Sequence, residues 1–78
     1  FEKMGRSRDA LTELEQELKL NPRFVKALIE QGNIFLKSNI LEDAQKSFNK
    51  AMEIDPRSAE AKVGAGYINY LKLKFIKN

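Results

Sequence analysis

Neither cysteine nor histidine occurs in the 78 residues. Their absence excludes thiol redox chemistry, a nucleophilic thiolate, an imidazole base and the common zinc-ligand sets. Disulfides are excluded as well, so a chain near the lower size limit for one hydrophobic core depends on packing alone. No apolar run approaches the roughly 20 residues that span a bilayer, and no charged-then-apolar leader follows Phe1. Lack of cysteine fits a reducing compartment, which makes cytoplasmic placement the expectation and peripheral attachment to a membrane the alternative. Ser7, Ser38, Ser47 and Ser58 have no imidazole to activate them, and no glycine-rich loop precedes a helix in the phosphate-cradling arrangement. Glu13, Glu15 and Glu17 alternate along one helix and so point in different directions, as on a solvated face. No enzymatic activity, cofactor or metal is expected.

Charge is mixed and only mildly unbalanced, at +3 overall. Acidic residues gather early (Asp9, Glu13, Glu15, Glu17) and lysines late (Lys62, Lys72, Lys74, Lys77), a balance that normally marks solvated surface. The stretch from Leu71 to Lys77 interleaves basic and apolar side chains as an anionic interface would favour. It fits equally well a helix whose terminal lysines complement the macrodipole. No nucleic-acid partner is expected.

Proline is scarce, and its placement is informative. Pro22 and Pro56 stand 34 residues apart in matching surroundings, Leu20-Asn21-Pro22-Arg23 and Ile54-Asp55-Pro56-Arg57. Ala27 recurs as Ala61, Gly32 as Gly66, and Ala10 as Ala44. A period of this length marks stacked supersecondary units that cannot bury their apolar faces singly. Asn21 and Asp55 read as N-caps with proline at the first helical position, which starts two helices at the prolines. The first of these runs to about Lys37, with Val25, Leu28, Ile29, Phe35 and Leu36 at helical spacing. Asn39 then reads as the N-cap of a helix to Ile54, with Glu42 completing a capping box. Gly5 allows a turn before an opening helix from Ser7 or Arg8, whose stripe is Ala10, Leu11, Leu14, Leu18 and Leu20. The last helix, from Pro56, either turns near Lys72 or runs straight on to Lys77.

The middle segment, Leu28-x2-Gln31-Gly32-x2-Phe35, then Ala44-x3-Phe48, Ala51 and Pro56, resembles a tetratricopeptide repeat, the two-helix unit of 34 residues. The first repeat keeps Ala10-x3-Leu14 and Pro22, with Glu17 where the family usually has a small residue. The third keeps Ala61 and Gly66 but places Lys62 and Asn69 at usually bulky positions. The resemblance implies an all-α fold of antiparallel helix hairpins stacked as a right-handed superhelical fragment. Residues 1–22 would be the second half of a repeat, 23–56 a complete repeat and 57–78 the first helix of a further one. Small Gly32 and Ala44 would let two helices approach closely, and Phe35 and Phe48 would fill the wedge between consecutive hairpins.

In this family the first helix of each hairpin lines a concave groove. Carried over position by position, the groove consists of Lys26, Ile29, Glu30, Asn33, Leu36 and Lys37, followed by Glu60, Val63, Gly64, Tyr67, Tyr70 and Leu71. The resemblance thus implies a protein-binding scaffold whose partner is a protein or peptide. The alternative is a basic module on a membrane surface, or in assembly of a membrane organelle, using the lysine-rich final helix. Family members that clamp the acidic C-terminus of chaperones use cationic and amide side chains on consecutive first helices. Asn33 and Lys26 match such positions, whereas Ile29 and Glu30 do not, and Glu30 would repel a carboxylate. The repeat phase places both chain ends inside repeats. That would leave Leu11, Leu14 and Leu18 uncovered at one end and Phe75 and Ile76 at the other, so self-association through the terminal helices is expected.

Overall fold

The structure, a computed structural model, describes the backbone of residues 2–76 and the side chains of residues 8–74. Phe1, Lys77 and Asn78, and the Phe75 and Ile76 side chains expected to lie uncovered, fall outside the described residues. Four helices follow one another: α1 (Glu2–Leu20), α2 (Val25–Lys37), α3 (Leu41–Ile54) and α4 (Ala59–Ile76). The all-α class is as expected. Helix α2 packs against each of the other three, and α3 also packs against α4. The principal extents are 40 × 35 × 15 Å, a slab thin enough that every helix keeps a face to solvent.

Helix starts differ from the expected ones, and the difference has a chemical cause. Asn21 and Asp55 spend their side chains on turns and not on caps. Asn21 Oδ1 accepts the Arg23 amide at 3.3 Å and Asp55 Oδ1 accepts the Arg57 amide at 3.2 Å. The Phe24 and Ser58 amides then close the turns by donating to the Asn21 and Asp55 carbonyls, each at 3.1 Å. An Asx side chain that bonds two residues on mimics a backbone turn, and proline suits the position after it. The helices therefore begin three residues beyond the prolines, at Val25 and Ala59. Ser58 takes over the capping role on α4, its hydroxyl accepting the Ala61 amide at 3.3 Å. Phe24, its counterpart before α2, makes no side-chain cap bond.

Asn39 also does different work from that expected. Its φ of 62° is left-handed. It donates its amide to the Leu36 carbonyl at 3.1 Å, while the Ile40 amide reaches the Phe35 carbonyl at 2.8 Å. Those two bonds form the Schellman closure of α2. Asparagine is among the few residues other than glycine that tolerate this conformation, and it serves here to end α2. Helix α3 starts from Ile40 with no side-chain cap bond, so the Asn39–Glu42 capping box does not form. At the other margins, α1 begins at Glu2 and passes through Gly5 without turning, since one glycine costs a helix only about 1 kcal/mol. Helix α4 runs straight past Lys72.

The core centres on one ring. Phe48 is fully buried, as are Ala44, Ala51, Ala61 and Ile68. A methyl group added at Gly32 would meet the Phe48 ring at 2.9 Å, and one added at Gly64 would meet it at 2.5 Å. The ring is thus held between the glycines of α2 and α4, so moving it off one drives it into the other. This corrects one expectation. Gly32 gives room to an aromatic ring and not to the backbone of α3. The glycine that matters on α4 is Gly64, since Gly66, the repeat partner of Gly32, has nothing within 4 Å. Phe35 and Leu36 pack, half-buried, at the edge of this core.

On α1, Leu14 is buried, and Leu11 and Leu18 are half-buried, within the single chain. The stripe expected to stand uncovered is therefore largely covered, and only Leu20, 89% exposed where the helix ends, leaves it. Helix α4 is further tied to α3 through Gln45. Its amide donates to Asn69 Oδ1 at 3.1 Å, and its carbonyl accepts from the Lys72 ammonium.

Four stability outcomes follow from these contacts. Gly64→Ala lowers unfolding free energy by about 1–3 kcal/mol through overpacking against a ring with no free direction. Gly66→Ala raises it by up to about 1 kcal/mol through helix propensity. Urea denaturation of the two variants side by side measures both signs. Asn39→Ala costs about 1–2 kcal/mol for a left-handed residue, whereas Asn39→Gly costs little, and the same titration reads both.

Candidate functional site

Because α3 lies behind them, α2 and α4 stand side by side and present their remaining faces to solvent as two walls of a groove. Two adjoining hollows occupy it. One, of about 390 Å³, is lined by Asn33, Leu36, Ala59, Glu60, Val63, Gly64 and Tyr67. The other, of about 340 Å³, is lined by Val25, Lys26, Ile29, Glu30, Asn33, Ser58 and Glu60. Asn33 and Glu60 belong to both and mark where they join.

The structure brings most of the expected groove residues to this place. Lys26, Ile29, Glu30, Asn33, Leu36, Glu60, Val63 and Tyr67 all line it. Tyr70 lines neither hollow but stacks on Tyr67, with ring centroids 6.4 Å apart and planes inclined by 22°. Lys37 is exposed on α2 and lines neither hollow. Ile29 is buried and forms part of the floor, as a member of the core cluster. Leu36 is half-buried and Leu71, also named from the family pattern, is half-buried outside both hollows. Val25, Ser58 and Ala59 line the groove without having been expected.

The two walls differ in chemistry. On α4, Val63 is 71% exposed, Tyr67 50% and Tyr70 57%. With Glu60 they fall at intervals of three and four residues, one continuous stripe. Glu60 sits in the first turn of α4, where the positive end of the macrodipole favours a carboxylate. The α2 wall carries Lys26, Glu30 and Asn33 above Ile29 and Leu36. Among the described residues no group of three or more potential metal ligands converges. An apolar floor with a few polar groups at its rim can hold a peptide side chain and orient its backbone.

A third hollow, of about 380 Å³, lies where α1, α2 and α3 meet. Lys19, Lys46 and Lys50 rim it with Glu15. Its floor holds Ser47, whose hydroxyl donates toward Gln31 Oε1 and the Asp43 carbonyl, each at 3.1 Å. That floor is internally satisfied and tied into the core, so this hollow reads as a seam between helices. No described helix is long and apolar enough to cross a membrane.

The tetratricopeptide repeat family model matches residues 1–59. The chain is 32% identical over 62 residues to human DnaJ homolog subfamily C member 3, covering 80% of this chain and 12% of that protein. It is 33% identical over 58 residues to mouse DnaJ homolog subfamily C member 7, covering 74% and 12%. To human tetratricopeptide repeat protein 6 it is 35% identical over 63 residues, covering 77% and 12%. The chain therefore spans about an eighth of the length of these curated relatives.

Proposed function

The chain belongs to the tetratricopeptide repeat family, a family of protein-interaction scaffolds, and on that premise we propose that the groove between α2 and α4 binds a peptide or helix of another protein. The observation that carries this reading is the pair of large side chains left in water on one wall, Val63 and Tyr67, lining a hollow with Leu36 and Gly64, while exposed Tyr70 stacks on Tyr67 beyond it. Large exposed apolar groups that share a concave surface with a few polar ones are the usual mark of a binding site. Tyrosine is favoured in such places because its ring buries much area while losing little side-chain freedom. Asn33, at the junction of the hollows, can bond a ligand backbone with both ends of its amide.

The rival reading, a basic membrane-surface module at the end of α4, has less support. Lys72, central to that stretch, spends its ammonium on Gln45 of α3. Binding through lysines to an anionic surface also falls steeply with salt, whereas apolar groove binding does not.

Selection of a random dodecapeptide library displayed on phage against the chain tests the proposal. Selected peptides lose at least about tenfold in affinity against Tyr67→Ala and Val63→Asp, the loss typical of central contacts. They lose less than about twofold against Lys46→Glu with Lys50→Glu, and circular dichroism shows unchanged helicity for each variant. Equal losses from both sets, or binding that disappears at 0.5 M salt as lysine contacts would, overturn the groove reading.

A further inference from the structure

We infer that the groove selects a peptide bearing an arginine beside an aliphatic residue, the guanidinium lying between the Glu60 carboxylate and the Tyr67 ring and the aliphatic side chain entering the Leu36–Val63 hollow. The inference rests on the groove reading and adds to it the charge and shape of the ligand.

The charge argument starts from a contrast. The whole chain carries +3, yet the ionisable carboxylates and cations that line the two joined hollows are Glu30, Glu60 and Lys26, which sum to −1. Lys26 stands one turn before Glu30 on α2. This order pairs less well than its reverse, and among the described residues neither glutamate has an ion-pair partner. Both carboxylates are exposed and so are available to a ligand without the loss of an internal bond. A cationic side chain that reaches past Glu60 into the 340 Å³ hollow meets a carboxylate on each wall, Glu60 on α4 and Glu30 on α2, with one cation, Lys26, beside them. An acidic ligand meets two like charges, which costs affinity and suppresses the wrong partner.

The shape argument distinguishes arginine from lysine. Glu60 and Tyr67 line the same 390 Å³ hollow, two turns apart on α4, with Val63 between them on the same stripe. The planar guanidinium can lie on the face of a tyrosine while its edge donates two parallel bonds to a carboxylate, an arrangement closed to the compact lysine ammonium. The Tyr67 ring is held in place for this by its stack on Tyr70, so less freedom is lost when the cation settles on it. The apolar part of the hollow, between Leu36 and Val63, then accepts the neighbouring aliphatic residue.

The test uses the 78-residue chain, labelled with nitrogen-15, and three acetylated, amidated hexapeptides in which leucine alternates with arginine, with citrulline or with glutamate. Citrulline keeps the size and planarity of arginine and removes its charge. Expected is saturable movement of the amide signals of Glu60, Val63 and Tyr67 by the arginine peptide. Its affinity should exceed that of the citrulline peptide by at least about fivefold, with the glutamate peptide weaker still. The advantage should vanish in the Glu30→Gln/Glu60→Gln variant and fall in Tyr67→Leu, which keeps an apolar side chain without the ring face. Citrulline and arginine peptides that move the same groove signals with equal affinity overturn the cationic selection and leave the groove reading standing. An arginine advantage that survives Glu30→Gln/Glu60→Gln also overturns it, since the charge would then be read elsewhere. If no peptide moves the groove signals, both readings fail. Exposed Glu→Gln changes within helices preserve the fold, and circular dichroism of each variant checks that they do.

Discussion

Everything in this small molecule is arranged around the placing of one aromatic ring between two glycines. Phe48 reaches forward from α3 into the space between α2 and α4, and Gly32 and Gly64 are what make that space. Without them the two front helices would have to part. Without the ring, they would face each other across a void, for truncating a buried phenylalanine costs about 3–5 kcal/mol, a large share of what a chain this size possesses. The alanines at 44, 51 and 61 are fully buried around the same ring and let the helices close on it. The Gln45 amide fastens α4 to α3 farther along, where no ring does so.

The repeat itself was legible because its signal is redundant. Prolines, alanines and a glycine recur at one offset, and no single substitution hides the period. What the period hid was asymmetry between repeats. The offset matches Gly32 to Gly66, yet the glycine against the ring on α4 is Gly64, which answers a demand that arises between one hairpin and the next. Its counterpart one repeat earlier is Glu30, and the counterpart of Phe48 there is Leu14. One repeat earlier, where the core side chain is a leucine, the position equivalent to Gly64 carries a glutamate that remains exposed. Where it is a phenylalanine ring, the facing position has no side chain at all.

The helix starts depart from the expected positions for a different reason. Asn and Asp before proline are equally good as caps and as turn-makers, and the choice depends on where the next free acceptor lies. Ser58, three residues on from Asp55, supplies it for α4. For α2 nothing does, and Phe24 occupies that position uncapped. Most groove residues were nevertheless identifiable, since their spacing on α2 and α4 is insensitive to where each helix begins. Lys37, a groove position in the family pattern, lines neither hollow, and Ile29 is buried in the core cluster while lining the groove. That Glu30 and Glu60 line one hollow had no signature in sequence, because it is a product of how α2 and α4 lie side by side.

In a slab only 15 Å thick, one residue can belong to both the interior and the exterior surface. Gly64 is such a residue, touching the Phe48 ring on one side and flooring the groove on the other. The protein therefore cannot adjust what it recognises at that point without disturbing what keeps it folded. Changes of ligand preference have to travel through Glu60, Val63 and Tyr67, whose side chains stand clear of the ring. An adaptive path that retunes this groove is thus confined to a narrow lane along one helix, with the glycine at its centre closed to change.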